Sequence, residues 1–226
     1  MLEIDLNEWW TSLDSEWKSI FFKALGIEVR PTYDELEKMI SLKELNCGTF
    51  NIDSLEPVRY MQNLELLICF RTNIASLEPL KDLRNLKEIR FFDTQVESLE
   101  PLRDLVSLEE LRFFKTKVTD LEPLRNLINM KSIHCSDLDI TTIEPLVNMN
   151  QLEKIFCSQT KINDISVLEN MPNLEKISCN NTDITTIEPI KHLKKLQVVD
   201  LRDTKVSREE IVIFKKDHPD CITFLN

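Results

Sequence analysis

Leu86-Lys-Glu-Ile89-Arg90-Phe91-Phe92-Asp-Thr94-Gln-Val96-Glu-Ser-Leu99-Glu-Pro101-Leu102 is answered by Leu108-Glu-Glu-Leu111-Arg112-Phe113-Phe114-Lys-Thr116-Lys-Val118-Thr-Asp-Leu121, the same pattern begun again 22 residues later. A unit this short cannot bury its own apolar face, so such units must stack and share one core. The recurrence extends both ways. Pro57, Pro79, Pro101, Pro123, Pro145 and Pro189 keep the step, with Val167 in the one slot without proline. A threonine column, Thr72, Thr94, Thr116, Thr160, Thr182 and Thr204, keeps it too, interrupted by Phe50 and Leu138. Two residues further on, Ile52, Ile74, Val96, Val118, Ile140, Ile162, Ile184 and Val206 are all apolar.

The consensus L-x-x-L-x-L/C-x-x-T-x-I-x-x-L-E-P-L-x-x-L resembles the leucine-rich repeats, specifically the 22-residue class shared by bacterial internalins and eukaryotic phosphatase-binding members. The bacterial branch is the expected one. The resemblance covers eight units over residues 42–206. It implies an α/β architecture: a right-handed solenoid with a curved parallel sheet on its concave face and short helical turns on its convex face. It also implies a recognition scaffold, although a fold by itself names no partner.

One elongated domain is the expected organisation of residues 1–226, because solenoid units contact only their neighbours and no linker breaks the period. Residues 1–41 depart from the repeat and are expected to form a helical N-terminal cap. Asp14-Ser-Glu-Trp17 opens a helix that runs through Ile20, Phe21 and Leu25 and stops at Gly26, a residue suited to a left-handed end. Thr32 and Glu35 have capping-box spacing ahead of a second helix with Leu36, Met39 and Ile40 on its apolar side. Trp9, Trp10 and Trp17 are expected as core covers over the end of the stack. Residues 207–226 repeat the logic: Ser207 and Glu210 start a helix through about Lys216, and Cys221-Ile222-Thr223-Phe224 add a last strand as a C-terminal cap.

The formal net charge of −11 disfavours nucleic-acid binding, which rests on Lys and Arg neutralising phosphates. No basic region followed by an apolar run opens the chain at Met1-Leu2-Glu3-Ile4-Asp5, so no membrane attachment is expected and the cytoplasm is the expected compartment. Cys47, Cys69, Cys135, Cys157 and Cys179 occupy one repeat position, where Phe91, Phe113 and Leu201 stand in other units; they read as small apolar residues of a core ladder. Cys221 falls outside that column.

Side chains alternate along a strand. Pairs such as Ile89/Phe91 and Ile133/Cys135 therefore face the core, within strands of four or five residues, and their neighbours face the concave surface. One outward row reads Ile68, Arg90, Arg112, His134, Phe156 and Ser178; the next reads Phe70, Phe92, Phe114, Ser136, Ser158 and Asn180. Leu66, Glu88, Glu110, Ser132, Lys154 and Lys176 flank them. Phe70, Phe92 and Phe114 are expected to stack; the reading that rivals a contact surface is a ladder that only stabilises the sheet, with Glu88 and Glu110 neutralising the arginines across strands. The threonine column is expected to bond neighbouring turns.

Aromatic residues and arginine dominate interface hot spots. Ile68, Phe70, Arg90, Phe92, Arg112, Phe114, His134 and Phe156 are therefore the candidate contact residues for a partner protein, and a monomer or weak homo-oligomer is expected. Glycan binding by the same patch and self-association are the rival functions. Catalysis is not expected: alternation sends His134 and Cys135 to opposite faces, and the carboxylate spacing of Glu88 and Glu110 is only that of ladder neighbours. With His134, His192 and His218 scattered, no metal or cofactor is expected either.

Overall fold

The computed structural model describes residues 4–224; the outer ends of both expected caps, residues 1–3 and 225–226, lie outside the described residues. The inward pair of each repeat selects an extended segment, because two apolar residues at period two need a sheet face to bury them. The resulting strands are β1 (Glu44–Asn46), β2 (Leu66–Ile68), β3 (Glu88–Arg90), β4 (Glu110–Arg112), β5 (Ser132–His134), β6 (Lys154–Phe156), β7 (Lys176–Ser178), β8 (Val198–Asp200) and β9 (Ile222–Phe224). They form one parallel sheet in sequence order. Register follows the repeat: Glu88 lies beside Glu110, and Arg90 beside Arg112.

Each strand spans three residues, fewer than expected, yet the backbone ladder continues past its ends. Between the second and third repeats, Lys87 N–H bonds Glu65 at 2.8 Å, Cys69 N–H bonds Arg90 at 2.8 Å and Arg71 N–H bonds Phe92 at 3.0 Å. The inward columns are closed to solvent: Leu67, Ile89, Leu111, Ile133 and Ile155 in one, and Cys69, Phe91, Phe113 and Cys135 in the next, are fully buried.

On the opposite side the Glu-Pro-Leu segments form short 3-10 turns such as Glu78–Leu80, Glu100–Leu102 and Glu122–Leu124, with proline near the start. There the missing N–H is one that would go unbonded anyway. A column of short polar residues two places ahead caps them. The N–H of Glu78 donates to Ser76 Oγ at 3.2 Å, that of Glu122 to Asp120 Oδ1 at 2.8 Å and that of Glu144 to Thr142 Oγ1 at 3.0 Å. This column did not figure in the sequence expectation.

The threonine column corrects a second expectation. Thr94 Oγ1 donates to Phe91 O at 2.7 Å and Thr160 Oγ1 to Cys157 O at 2.7 Å, so the hydroxyl closes a turn within its own repeat. It does so because the residue before it has a left-handed backbone, which folds the hydroxyl back over the strand end. That conformation recurs at Thr49, Arg71, Asp93, Lys115, Asp137, Gln159, Asn181 and Asp203, with φ from 52° to 68°. Only the Asp and Asn members suit it sterically.

The N-terminal cap has three helices where two were expected: α1 (Leu6–Ser12), α2 (Ser15–Leu25) and α3 (Tyr33–Ile40). Asp5 caps the additional α1, accepting from the N–H groups of Asn7 and Glu8. Gly26 ends α2 with φ of 66°, and Thr32 and Glu35 form the capping box of α3. Trp9, Trp10 and Trp17 are buried, and two indoles bond the first repeat: Trp9 Nε1 donates to Pro57 O at 3.3 Å, Trp17 Nε1 to Ser54 O at 3.2 Å. At the other end, α4 (Arg208–Asp217) and β9 close the stack. Glu210, expected to complete a capping box, instead turns its carboxylate to the preceding repeat, accepting from Ile187 N–H at 2.7 Å and from the Thr186 hydroxyl.

Lys115 is exposed, with φ of 55°. Lys115→Gly relieves a left-handed conformation that costs a side-chain-bearing residue about 1–2 kcal/mol, against about 0.5–1 kcal/mol for glycine's looser unfolded chain. A net gain of about 0.5–1 kcal/mol and a melting temperature higher by about 2–3 °C are expected. An unchanged or lower melting temperature in a calorimetric scan would refute the strain.

Candidate functional site

Because the repeats are in register, each outward position becomes a row running across the sheet. Phe70 and Phe92 lie with ring centroids 4.6 Å apart and planes 3° apart; Phe92 and Phe114 are 4.3 Å and 9° apart. The stack then does something the two separate rows did not suggest. Phe114 does not continue to Ser136 but steps diagonally onto His134, at 4.2 Å and 26°, and His134 meets Phe156 at 5.2 Å and 48°. Five rings drawn from two rows thus form one continuous band across β2 to β6. All five are half-buried.

The band closes at its N-terminal end on Gly48, the equivalent position in the first repeat. A Cβ there would lie 3.0 Å from Phe70 Cε1, so glycine is what allows the ring to lie flat against the backbone. Ring faces are used up by neighbouring rings, and what the band shows to a visitor is its edges. Aromatic edges carry the positive side of the ring quadrupole.

Beside the band, Arg90 pairs with Glu88, and Arg112 with Glu110 at 3.5 Å. Both pairs run along a single strand and not across strands, as a purely stabilising ladder would have them. The reason is register: Glu88 sits beside Glu110 and Arg90 beside Arg112, so the opposite charge is nearest two residues along the same strand. Ile68 completes the patch, half-buried beside Arg90.

The C-terminal half of the same face is polar. Ser136 Oγ accepts from Ser158 N–H at 3.1 Å, the Ser158 and Ser178 hydroxyls are 2.9 Å apart, and Asn180 Nδ2 donates to Asp200 Oδ2 at 2.9 Å. Asp200 in turn holds Arg202 in a two-pronged pair. The chain of contacts ends there, with Arg202 over the Phe224 ring at 5.4 Å.

The cysteines offer no exposed nucleophile. All six are free and buried. Burial pushes the Cys135 and Cys179 thiols up to about 12, and those of Cys69 and Cys157 upward as well. A thiolate is the reactive form, so these thiols are inert. His134 and Cys135 do face opposite ways, one on the band and one in the core. Among the described residues, no group of three His, Cys, Asp or Glu side chains is placed to hold a metal ion. No described helix is long and apolar enough to cross a membrane.

Loss of hydration between its ring neighbours, followed by the nearby charge of Arg112, pulls the His134 pKa down to about 4. The unfolded chain takes up that proton near pH 6.5. As pH falls through this window the unfolded state gains a proton that the folded state refuses, so stability falls with it. His134→Phe removes this dependence. Its melting temperature, measured relative to the natural protein, is expected to rise progressively from about pH 6.5 to about pH 4; parallel curves would show that the imidazole is not desolvated in the band.

Residues 172–210 match a family described as Leucine Rich repeats (2 copies). Internalin C2 of Listeria monocytogenes superposes with a TM-score of 0.86 at 24% identity, over 94% of this chain and 93% of that one. A leucine-rich repeat protein of Leptospira interrogans gives 0.76 at 24% identity over 87% of this chain and 52% of that one, so the chain spans about half its length. The functional domain of InlJ from Listeria monocytogenes, described as including a cysteine ladder, gives 0.57 at 16% identity over 97% of this chain and 60% of that one. No curated protein matches the sequence. The 22-residue period, the nine-stranded parallel sheet and the likeness to these structures together show the leucine-rich repeat solenoid fold.

Proposed function

We propose that this chain is a non-catalytic recognition module that docks another protein on its concave sheet. The fold is consistent with a protein–protein interaction module. What carries the reading to this face is the five-ring band, half-exposed at the middle of the sheet and bordered by Arg90 and Arg112. Rigid aromatic and arginine side chains give much contact area for little ordering cost, and here the solenoid has already fixed them. Ile68, Phe70, Arg90, Phe92, Arg112, Phe114, His134 and Phe156 are the contact residues of this reading. The inert, inward thiols of Cys135 and Cys179 support a non-enzymatic role. A cytoplasmic location is part of the proposal, supported by six unpaired thiols.

Glycan binding is less well supported, because a sugar ring stacks on an aromatic face and the faces in this band are covered by one another. Self-association has one observation in its favour. β9 is the last strand of the sheet, and its Ile222 and Phe224 are 58% and 45% exposed. A mass that rises with concentration in sedimentation would support it.

The docking reading is tested by a pull-down from the source cell's lysate. It compares the natural protein with a Phe92→Ala/Phe114→Ala variant that circular dichroism shows to be folded. Truncating two central hot-spot rings is expected to cost about 2 kcal/mol or more, roughly thirtyfold in affinity, and so to lose the partner. Equal recovery of the same protein by both forms would make the band structural and the reading wrong.

A further inference from the structure

Stacking in register forces like charges together wherever two repeats carry the same charged residue, and directly opposed like charges weaken a sheet. This chain relieves such contacts almost everywhere. At the lip of the sheet the charges alternate: Lys43 pairs with Glu65 at 2.9 Å, Lys87 with Glu65 at 2.6 Å, and Lys131 with Glu109 at 2.7 Å. Held by Lys87 and then Lys43, the Glu65 carboxyl titrates down at about 2. On the concave face, Glu88 and Glu110 are opposed but relieved by Arg90 and Arg112.

Lys154 and Lys176 keep such a contact, as do Glu153 and Glu175 just before them. The two lysines stand in register on β6 and β7, in the same row as Glu88 and Glu110. The places where an oppositely charged residue would relieve them are taken by Phe156 and Ser178. Neither lysine has an ion partner within 4 Å among the described residues, although Glu153 and Glu175 immediately precede them and Asp200 lies in the next strand, already committed to Arg202. Both are half-buried. With Glu88 and Glu110 already paired to Arg90 and Arg112, the two ammonium groups stand at the C-terminal side of the band without an ion partner of their own, on a chain whose net charge is −11.

We propose that Lys154 and Lys176 are an anchoring site for carboxylates on an acidic segment of the partner protein, the same segment whose apolar side chains lie along the Phe92–Phe156 band. This rests on the docking function proposed above and adds the chemistry of the partner. Lys154 and Phe156 are two positions apart on one strand, about 7 Å at strand rise. The segment therefore carries Asp or Glu within one to three residues of an apolar or aromatic side chain. The positive ring edges of the band favour the same sign of partner.

The test is a selection of a phage-displayed random peptide library on the whole chain. The selected peptides are then synthesised with a fluorescein label and titrated by anisotropy at low and high salt. Peptides rich in Asp or Glu next to apolar residues are expected, binding more weakly as salt rises. Lys154→Gln/Lys176→Gln should weaken them roughly five- to thirtyfold. Lys176→Glu, which restores the alternation seen at the lip, should abolish binding while raising the melting temperature, so loss of binding cannot be loss of fold. Three outcomes overturn the inference: selected peptides lacking acidic residues, acidic peptides insensitive to the lysine variants, or heparin held by these lysines in preference to any peptide. Peptides lost with Phe92→Ala/Phe114→Ala but not with the lysine variants would leave the docking face standing and remove only its acidic anchor. Failure of both variants to matter would remove both.

Discussion

A single turn of this chain exposes a face of leucine, isoleucine and cysteine that only the next turn can cover, and every other feature follows from that dependence. Covering is possible only if the turns stack in register, which makes each position a column. Inward columns must then share volume, and this one does so by mixing Phe91 and Phe113 with Cys69, Cys135 and Cys157, all buried. Outward columns meet no such demand, so their composition is free to vary. The same register that builds the core therefore builds the concave surface as stripes, aromatic through β2 to β6 and hydroxyl-bearing beyond.

Stacking also creates problems that the chain solves locally. The two ends of the stack would expose raw core, and the caps answer this with buried tryptophans at one end and with α4 and β9 at the other. Leaving the sheet after each strand requires a left-handed residue, and the following threonine hydroxyl holds the turn. Like charges meeting across strands are relieved by a residue two places along, as Arg90 relieves Glu88. Lys154 and Lys176 stand side by side without an oppositely charged residue two places along.

The period, the proline column, the inward cysteines and the helix signals at Gly26, Thr32 and Ser207 were all legible from residue types at fixed spacing, because each reports on local backbone or on burial. What escaped depended on geometry that spacing does not encode. The diagonal step from Phe114 to His134 arises where two outward rows come within stacking reach across adjacent strands. The arginine pairs run along the strand because register places like beside like. Two misses were within reach of the sequence: Ser76, Ser98, Asp120, Thr142 and Asp164 form a column of capping residues, and Asp5 precedes α1 as a helix start. The left-handed positions were harder, since Arg71, Lys115 and Gln159 carry none of the usual signals and are held there by the ladder around them.

Hydroxyl-radical footprinting of the chain with and without a captured protein partner bears most directly on the central claim that the ring band is a surface for others and not only a ladder for itself. Phe70, Phe92, Phe114 and Phe156 are half-exposed in the free protein and should be oxidised there. The account predicts that the partner protects them while leaving the exposed Val106 and Ile128, outside the band, reactive. Protection confined to the convex turns or the caps, with the four rings oxidised as before, would contradict it.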